Sequence, residues 1–443
     1  MPNLPLRKYQ KEAVDFALRT GSCLLAEDCG LGKSLEALAI AEARNAQRVL
    51  IVCPSSLKYS WKNEIEKFLT VSPQVIDGPR SLRELSWSTG TRFTICNYEL
   101  LLKDPEVYSI AWDMIIFDEA TRLVNPKAKT CKLVKKLNTP CKILLTGTPI
   151  TNRPENVWNI FDTIKPHALG SWWSFMNRYC IRDYWGSVKS YVNLDDLAKR
   201  IAPYYIRRTK EEVLKDLPPL VSTDIVVELS APERKLYNAV KKEILYELTN
   251  DMTSKISLAS LGSALVRMTR LKQIADGMEL IGEHKESAKV EALRELLTEI
   301  GDRKVICFSQ FSSMCTILYH TFADRSPLII TGDTPAELRQ KYVDEFNDPK
   351  SASRLLIMSE AGSEGLNIQH DCSYIIHFDL PWSLSKLIQR TGRVHRSGQK
   401  NTVFEYSLVA RDTVDEYIRH TIDEKRDLSA QVIGVKGIEE MLS

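Results

Sequence analysis

Two blocks of short apolar runs, several of them bounded by glycine, proline or acidic residues, constrain the fold of this chain more than any other feature. The runs have the length of buried strands, and segments with helical periodicity separate them. The runs predicted as strands cover residues 22–26, 48–53, 93–96, 114–117 and 142–145 in the first block, and 304–308, 328–330, 354–358, 374–377 and 404–408 in the second. Apolar strands that alternate with helices are typical of a parallel sheet covered on both faces. The sequence therefore predicts an α/β fold with two parallel-sheet domains.

The stretch between the two blocks differs in pattern. From about Pro166 to Ile300 it reads as mainly helical, with aromatic clusters and charged faces. The paired prolines at 218 and 219 would stop a helix, and a strand is predicted after them at Thr223–Leu229. We expect three segments, which cover residues 1–165, 166–300 and 301–443.

Composition excludes several classes of protein. No stretch approaches the ~20 apolar residues that span a bilayer, and the first ten residues lack the apolar run of a signal peptide. We therefore expect a soluble intracellular protein with no membrane partner. The ten cysteines contain no Cys-x-x-Cys pair and several lie in apolar runs, so we expect buried free thiols rather than a zinc site or disulfides. The net charge of +3 does not exclude nucleic acid, because basic residues can cluster in one cleft.

A glycine-containing loop at Ala26–Ser34 follows the first predicted strand and precedes a helical pattern. Backbone N–H groups at a helix start bind phosphate. Gly30 and Gly32 would allow close approach of the backbone, Lys33 would reach the β- and γ-phosphates, and Ser34 would ligate Mg²⁺. Glu27 stands where the strict pattern has glycine, so an ordinary strand-to-helix turn is the alternative for the loop taken alone.

Two adjacent acids, Asp118 and Glu119, follow the predicted strand at 114–117. Asp118 would hold Mg²⁺ through water, and Glu119 would orient the attacking water. Alone, the pair could be a solvated loop. Downstream of a phosphate loop it predicts metal-assisted phosphoryl transfer.

These elements resemble, in order and over nearly the whole chain, the superfamily-two helicase core, and specifically its Swi/Snf-like branch. In the first block the matching elements are Leu6–Gln10, Glu27–Ser34, Val52–Leu57 with Trp61, and Leu144–Ile150 with Asn152. Further along they are Phe175–Cys180, Ile206–Lys210, Leu217–Pro219, Ser359–Ile368, Phe378–Trp382 and Gln389–Gln399. The middle elements are most similar to the annealing-helicase subgroup, and the last element to bacterial members.

The resemblance implies two RecA-like lobes, separated by a helical Swi/Snf-type insertion, that use ATP and Mg²⁺. Gln10 would contact the adenine. Arg393 and Arg396 would act as arginine fingers, and they share one face if their segment is helical. Further nucleotide contacts are implied at Arg7, Asp28, Gly30, Leu31, Gly32 and Gly365.

The resemblance also implies a DNA-binding face, and Trp61 falls in an element that touches the DNA backbone. The implied DNA contacts are Pro54, Ser55, Thr146, Gly147, Thr148, Ser359, Gly362, Asn367 and Trp382, with Arg207 and Arg208 on the insertion. Lys189, Arg200 and Lys210 are further candidates there, although a charged helix face is usually only solvated.

Some positions depart from the pattern of the family. They are Thr121, Ser363, Glu364, Ser383, Leu384 and Arg390. Thr121 stands where the family usually has histidine, which could change how hydrolysis is coupled to movement. Arg390 stands where eukaryotic members often have alanine. None of these changes removes a phosphate, metal or finger residue.

Two other groups of residues are open to a second interpretation. Trp172, Trp173 and Phe175 could stack on bases, although packing of the helices is favoured. His284, His370 and His395 do not have the spacing of metal ligands, and His395 is expected to orient a neighbour.

The leading functional hypothesis is an ATP-dependent motor that translocates on double-stranded or branched DNA without sequence preference. A strand-separating helicase on single-stranded or forked DNA or RNA is one alternative, and a nucleotide-switched scaffold with weak ATPase is another. We expect a monomer, with specificity supplied by DNA shape or by a targeting protein. The expected location is the cytoplasm or nucleoid of a bacterium or virus-infected host, or a nucleus if the source is eukaryotic.

Overall fold

The computed structural model describes residues 5–147, 154–184, 188–251, 269–282, 287–360, 362, 368 and 372–432, and describes side chains for all of these except 244–251, 336 and 424–432. The chain forms two compact units, of which the first comprises the residues up to Asp216 together with those from Lys425 on, and the second spans Leu217–Glu424. Each unit is built around one parallel sheet. The predicted α/β fold with two RecA-like parallel-sheet lobes is confirmed.

The first sheet has seven strands in the order β3-β4-β2-β5-β6-β1-β9. Its strands are β1 Cys23–Leu25, β2 Val49–Cys53, β3 Gln74–Val75, β4 Phe93–Asn97, β5 Met114–Phe117, β6 Lys142–Leu145 and β9 Tyr205–Ile206. Helices α1 Lys8–Thr20, α2 Lys33–Ala43, α3 Lys58–Leu69, α4 Arg80–Trp87 and α5 Lys129–Val134 connect or flank them. The central strands are buried along their whole length because helices cover both faces.

A helical segment follows β6 and packs on the same sheet. It comprises α6 Glu155–Ile164, α7 Trp172–Tyr179, the antiparallel strands β7 Cys180–Arg182 and β8 Val188–Tyr191, and α8 Leu194–Ile201. Its apolar side chains share one buried cluster with strand residues such as Leu50 and Ile115. This segment is therefore part of the first unit rather than a separately folded body.

Two of the three aromatic side chains proposed for base stacking lie in this core. Phe175 is fully buried, and Trp172 contacts Trp158 edge-on and stacks on Phe175. Helix packing is thus confirmed for these two residues, whereas Trp173 is 67% exposed.

The second sheet has six strands in the order β10-β15-β14-β11-β13-β12. Its strands are β10 Leu220–Val227, β11 Val305–Ser309, β12 Leu328–Ile330, β13 Leu355–Ser359, β14 Tyr374–His377 and β15 Val403–Ala410. The short helix α9 Lys210–Val213 precedes Leu217 and belongs to the first unit. The later helices are α10 Ala231–Asp251, α11 Ala288–Ile300, α12 Ser312–Thr321, α13 Ala336–Asn347, α14 Leu384–Thr391 and α15 Val414–Val432, and the second unit ends within α15 at Glu424. Residues 269–276 are also helical.

The boundary between the units falls inside the predicted middle segment. The expected strand at Thr223–Leu229 belongs to β10, which pairs in parallel with β15 from Leu220↔Val403 to Val227↔Ala410. Because this strand is an edge of the second sheet, the chain after Asp216 folds with the second unit. The part of the predicted middle segment up to Asp216 thus lies in the first unit and the part from Leu217 in the second, while the division into three segments stays a prediction.

All the cysteines are free thiols, and all except Cys29 are buried. Among the described residues, no helix combines the length and the apolar character needed to cross a membrane.

Candidate active site

The phosphate loop runs from the end of β1 to the start of α2. Gly30 and Gly32 adopt φ angles of +92° and +89°, a left-handed conformation that favours glycine. A Cβ on Gly32 would lie 2.6 Å from Nε2 of Gln10, so a side chain there would also collide. The loop residues Gly32–Ser34 therefore present their backbone directly, as a phosphate cradle requires.

Lys33 is the first residue of α2 and lies over the loop. Its Nζ donates to the carbonyl oxygens of Glu27 at 2.7 Å and Asp28 at 3.1 Å. Lys33 and Ser34 are half-buried, which leaves both accessible to a ligand in the cradle. The predicted roles of Lys33 and Ser34 agree with this placement.

Two buried carboxyl groups belong to this region, Glu27 within the loop and Glu36 on α2. Glu27 and Glu36 are both fully buried. Burial and the neighbouring Glu27 raise the pKa of Glu36 well above its ordinary value. Both causes act in the same direction, because each disfavours a negative charge on Glu36 beside the loop.

Asp118 lies directly after β5, and three donors hold it. The indole Nε1 of Trp61 donates to Oδ2 at 2.8 Å, and the backbone N–H of Glu119 donates to Oδ1 at 2.9 Å. The hydroxyl of Tyr98 donates to the carbonyl oxygen of Asp118 at 2.7 Å. The carboxylate is therefore fixed in orientation before any ligand binds.

Glu119 has a left-handed backbone with φ +50° and ψ +56°. This conformation costs a non-glycine residue of order 1–3 kcal/mol and is often found at functional sites. It turns the chain sharply at the end of β5.

The acid pair and the phosphate loop lie at the same edge of the first sheet. Strand β6 separates β1 from β5, so the two carboxyl ends are about 10 Å apart at ~4.8 Å per strand. The Ser34 hydroxyl and the Asp118 carboxylate are hard oxygen donors of the kind that Mg²⁺ prefers. In the described ranges, no group of three or more His, Cys, Asp or Glu side chains is placed to hold a metal ion.

Trp61 has a different role from the one expected. It was expected near the DNA backbone, but its side chain is 2% exposed and its only polar atom donates to Asp118. Trp61 is therefore a positioning residue for Asp118, and the sequence carried no signal for this contact.

Gln10 is buried against the phosphate loop. Its Nε2 donates to the Leu31 carbonyl at 3.0 Å, and its Oε1 accepts from the Arg7 backbone N–H at 2.9 Å. The Tyr9 hydroxyl donates to the same Leu31 carbonyl at 2.7 Å. The element thus borders the nucleotide loop as expected, while the contact of Gln10 with adenine stays a prediction.

Arg207 and Arg208 are turned toward the phosphate loop. Arg207 pairs with Asp28 at 2.8 Å and Arg208 pairs with Glu27 at 2.6 Å, and both arginine side chains are only 13% exposed. Both side chains are thus engaged with the phosphate loop in this structure, and their contact with DNA stays a prediction. Lys210 is also buried, whereas Lys189 and Arg200 are exposed.

The other residues of the first unit that were predicted to contact DNA differ in their exposure to solvent. Ser55 is exposed just after β2, and Pro54 is buried beside it. Thr146 is 1% exposed, and a Cβ on Gly147 would lie 2.4 Å from Sγ of Cys29. Their contacts with DNA stay predictions, and among these four only Ser55 presents its side chain to solvent. Thr148 lies outside the described residues.

The two finger candidates in the second unit are not on a helix. Helix α14 ends at Thr391, and Gly392 follows it with φ −65° and ψ −7°. Arg393 and Arg396 lie in the consecutive turns after it, so the condition under which they would share a helix face is not met. Both are half-buried, and their action on phosphate stays a prediction. His395 contacts the Pro218 carbonyl at 2.9 Å and so fixes this turn.

Arg390 has a role that sequence reasoning missed. It is 1% exposed and donates to the carbonyl oxygen of Asp379 at 2.8 Å. The Asp379 carboxylate accepts from the Ser309 hydroxyl at 2.5 Å and from the Gln310 N–H at 2.9 Å. Arg390 thus fastens α14 to the end of β14. The sequence hinted at this role only through the arginine itself, which stands where eukaryotic members of the family often have alanine.

The remaining candidates of the second unit are packed closely. Ser359 is 1% exposed and accepts from the Gly362 N–H, and a Cβ on Gly362 would lie 2.4 Å from the Ile330 carbonyl. Trp382 packs on an apolar cluster with the Lys272 ammonium 5.5 Å from its ring. Contact of these residues with DNA stays a prediction. Gly365, Asn367, Ser363, Glu364, Asn152, His284 and His370 lie outside the described residues.

A cavity of about 610 Å³ in the second unit does not coincide with any predicted site residue. Arg303, Lys304 and Arg354 line it, together with Tyr374. These residues lie at the amino ends of strands β11, β13 and β14, whereas ligands in parallel sheets bind at the carboxyl ends.

Comparison with known proteins identifies the two parts of the chain. Residues 9–280, more than half of the chain, match the model of the SNF2-related domain. Residues 288–398 match the helicase conserved C-terminal domain.

Individual relatives have similar levels of identity. An uncharacterized ATP-dependent helicase of Mycoplasma pneumoniae is 31% identical over 97% of this chain and 42% of its own length. The uncharacterized ATP-dependent helicase MG018 of Mycoplasma genitalium is 29% identical over 96% of this chain and 42% of its own length. The chain thus spans less than half the length of these two relatives. The solved SWI2/SNF2 ATPase core of Sulfolobus solfataricus in complex with dsDNA is 26% identical, covers all of this chain and 95% of that chain, and has a TM-score of 0.48.

The phosphate loop, the acid pair at the same sheet edge and the two domain matches agree with one another. The chain therefore belongs to the SNF2-related family of ATP-dependent enzymes.

Proposed function

We propose that this chain is a motor that uses ATP hydrolysis to translocate along double-stranded DNA without processive strand separation. Its tasks would be the remodelling of forked or branched DNA or the displacement of bound protein. Family membership supports this proposal, and so does the site in the first unit.

The observation that carries the proposal is the pairing of a phosphate loop with an oriented acid pair. Lys33 would exchange its loop carbonyls for phosphate oxygens, and Ser34 and Asp118 would hold Mg²⁺. The metal would neutralise charge on the transferred phosphoryl group. Glu119, at the end of the same strand as Asp118, would orient the attacking water. Arg393 and Arg396 would supply further positive charge.

Binding to DNA would be independent of sequence. Ser55 is exposed at the carboxyl edge of the first sheet, and Lys189 and Arg200 are exposed on the helical segment after β6. Hydroxyl and cationic side chains of this kind contact phosphate and carry no base identity. Affinity should therefore fall steeply as salt is added.

Steady-state ATP hydrolysis tests the proposal directly. The rate would be measured without nucleic acid and with blunt duplex, forked DNA, single-stranded DNA or RNA, and Lys33→Ala would serve as the blank. We expect strong stimulation by blunt duplex that is lost in Lys33→Ala. Stimulation by single strands or RNA alone would contradict the proposal.

The alternative of a strand-separating helicase is favoured by the names of the two mycoplasma relatives. Stimulation confined to single strands or forks would support it. A wild-type rate equal to the Lys33→Ala blank under every condition would instead leave a nucleotide-switched scaffold.

A further inference from the structure

The chain that leaves the helical segment after β6 returns to the first sheet beside the phosphate loop. Strand β9 pairs in parallel with β1, with Leu24↔Tyr205 and Leu25↔Ile206 as partners. The pairing continues past the strands, because the Asp28 N–H donates to the Arg208 carbonyl at 3.1 Å. The first half of the phosphate loop is therefore hydrogen bonded to the segment that follows α8.

Two consecutive arginines on this segment hold the side chains of two consecutive loop residues. The Arg207 guanidinium donates to Oδ1 of Asp28 at 2.8 Å, and the Arg208 guanidinium donates to Oε1 of Glu27 at 2.6 Å. Arg207 also donates to the Ala26 carbonyl at 2.7 Å. Charge-assisted hydrogen bonds of this kind are about twice as strong as neutral ones. The conformation of residues 26–28 thus depends on the arginines.

Arg207 reaches a third element as well. Its guanidinium donates to the Gly147 carbonyl at 3.3 Å, in the loop after β6. Gly147 is packed so closely on the phosphate loop that a Cβ there would lie 3.7 Å from Nζ of Lys33 and 2.4 Å from Sγ of Cys29. Arg207 therefore joins the phosphate loop, the loop after β6 and the exit of the helical segment.

The loop residues held by the arginines also hold Lys33. The Lys33 ammonium is bound by the carbonyl oxygens of Glu27 and Asp28, and a phosphate would have to compete with those carbonyls. A displacement of residues 27–28 would therefore displace Lys33, although Arg207 has no hydrogen bond to Lys33 itself.

We propose that Arg207 is a positioning residue for ATP hydrolysis, through which DNA bound to the helical segment alters the phosphate loop. This inference rests on the proposed function, since it requires hydrolysis that responds to DNA. Arg207 acts through Asp28, Gly147 and Lys33 and does not contact DNA. The guanidinium is suited to this role because its planar fork reaches several acceptors at once, which a lysine ammonium on a flexible stem does not.

Arg207→Lys tests the inference, since the substitution keeps the charge and removes the fork. We expect the duplex-stimulated kcat for ATP to fall roughly ten-fold or more, the size of effect expected for one lost charge-assisted hydrogen bond. The KM for ATP should change much less. Thermal unfolding would verify that the variant is folded.

The matched control is Arg83→Lys in the same unit. Arg83 has the same 13% exposure, forms two hydrogen bonds of 2.9 Å with Asp104, and donates to the Gly78 carbonyl at 2.7 Å. It lies on α4, which follows the strand at the opposite edge of the sheet from β9. Arg83→Lys should keep the full ratio of stimulated to unstimulated kcat.

Binding to a short duplex separates positioning from DNA contact. Arg207→Ala should bind with the affinity and the salt dependence of the wild type. If Arg207→Ala reduces the slope of the logarithm of affinity against the logarithm of salt concentration by about one, Arg207 contacts a DNA phosphate. That result would overturn the inference. An unchanged ratio of stimulated to unstimulated kcat in Arg207→Lys would overturn it too.

The same experiment distinguishes failure of the proposed function. If duplex does not stimulate the wild type, the proposed function fails and the coupling role fails with it. A lower unstimulated kcat in Arg207→Lys at unchanged KM would then leave only a positioning role within the first unit. A wild type with no ATP hydrolysis would contradict both.

Discussion

One of the donors that orient the Asp118 carboxylate is the indole of Trp61. Trp61 lies on α3 and Asp118 follows β5, 57 residues further along the chain, and their hydrogen bond is 2.8 Å long. Because Trp61 is buried, water cannot replace the bond if it is lost. The metal and water positions at the site should therefore be sensitive to this residue.

Trp61→Phe should lower kcat for ATP roughly ten- to a hundred-fold, since a hydrogen bond to a charged group contributes about 1.5–3 kcal/mol. Steady-state kinetics over a range of Mg²⁺ concentrations would measure it. Trp87→Phe is the control, because Trp87 is 6% exposed and donates to Asp104 at 3.0 Å away from the site. Equal kcat values in wild type and Trp61→Phe would show that the indole does not position Asp118.

At this scale the sequence is informative only about local motifs. Phosphate and Mg²⁺ roles could be predicted for Lys33 and Ser34 because the loop, its glycines and the start of the helix are neighbours in the chain. The roles of Trp61 and Arg207 could not be predicted, because their partners lie 57 and 179 residues away. Both were assigned to DNA by resemblance, and both are turned inward in the structure.

At the scale of elements, the strands were predictable. All ten predicted runs coincide with strands, since a buried parallel strand leaves a continuous apolar run in the sequence. The short strands β3, β7, β8 and β9 were not predicted, because two to four residues carry too little periodicity. The end of α14 was missed because an arginine-rich segment that continues past Gly392 can look helical.

Four elements of the second unit meet at the buried Glu405 on β15. Its carboxylate accepts from the hydroxyl of Ser222 at 2.6 Å on β10 and from the hydroxyl of Thr391 on α14, and contacts Nε2 of His377 at 3.0 Å on β14. Burial alone would raise the pKa of Glu405. The partners outweigh burial, His377 having the largest effect among them, and lower the pKa from 4.5 to about 2. The charged form is therefore the one that folding favours.

A carboxyl group whose pKa is lowered by folding stabilises the native state above its ordinary pKa. Its contribution should be complete above about pH 4.5 and should be lost as the pH falls toward 2. Glu405→Gln should therefore be less stable than the wild type near neutral pH, by up to about 3 kcal/mol, and the difference should shrink with acidification.

Denaturant unfolding at several pH values would measure that difference. Glu228→Gln is the control, since Glu228 is 62% exposed in its ion pair with Arg411 and should change stability by less than about 0.5 kcal/mol. A gap between wild type and Glu405→Gln that stays constant down to pH 3 would rule out this assignment.

At the scale of the whole molecule, the sequence located two sheets but did not predict which of them each part of the middle segment joins. The middle segment looked independent because it is helical, yet its first part shares the core of the first sheet and its second part contributes β10 to the second. Which sheet a helix or an edge strand joins depends on long-range packing, and periodicity within a segment does not report it.

The two units have different chemical roles in the proposed motor. The first contains the phosphate loop, the acid pair and the exposed Ser55, and the second contains Arg393 and Arg396 on turns fixed by His395. Hydrolysis alone would not distinguish a motor from an ATPase that stays in one place on DNA. Movement along the duplex is the central claim and needs a measurement of its own.

Displacement of a third strand from duplex DNA tests that claim most directly. A blunt duplex with a triplex-forming oligonucleotide at one end would be incubated with ATP and the wild type, Lys33→Ala, or the wild type with a non-hydrolysable ATP analogue. We predict that only the wild type with ATP releases the third strand while the duplex stays paired. Hydrolysis without release, or release that requires a single-stranded flank, would contradict translocation on double-stranded DNA.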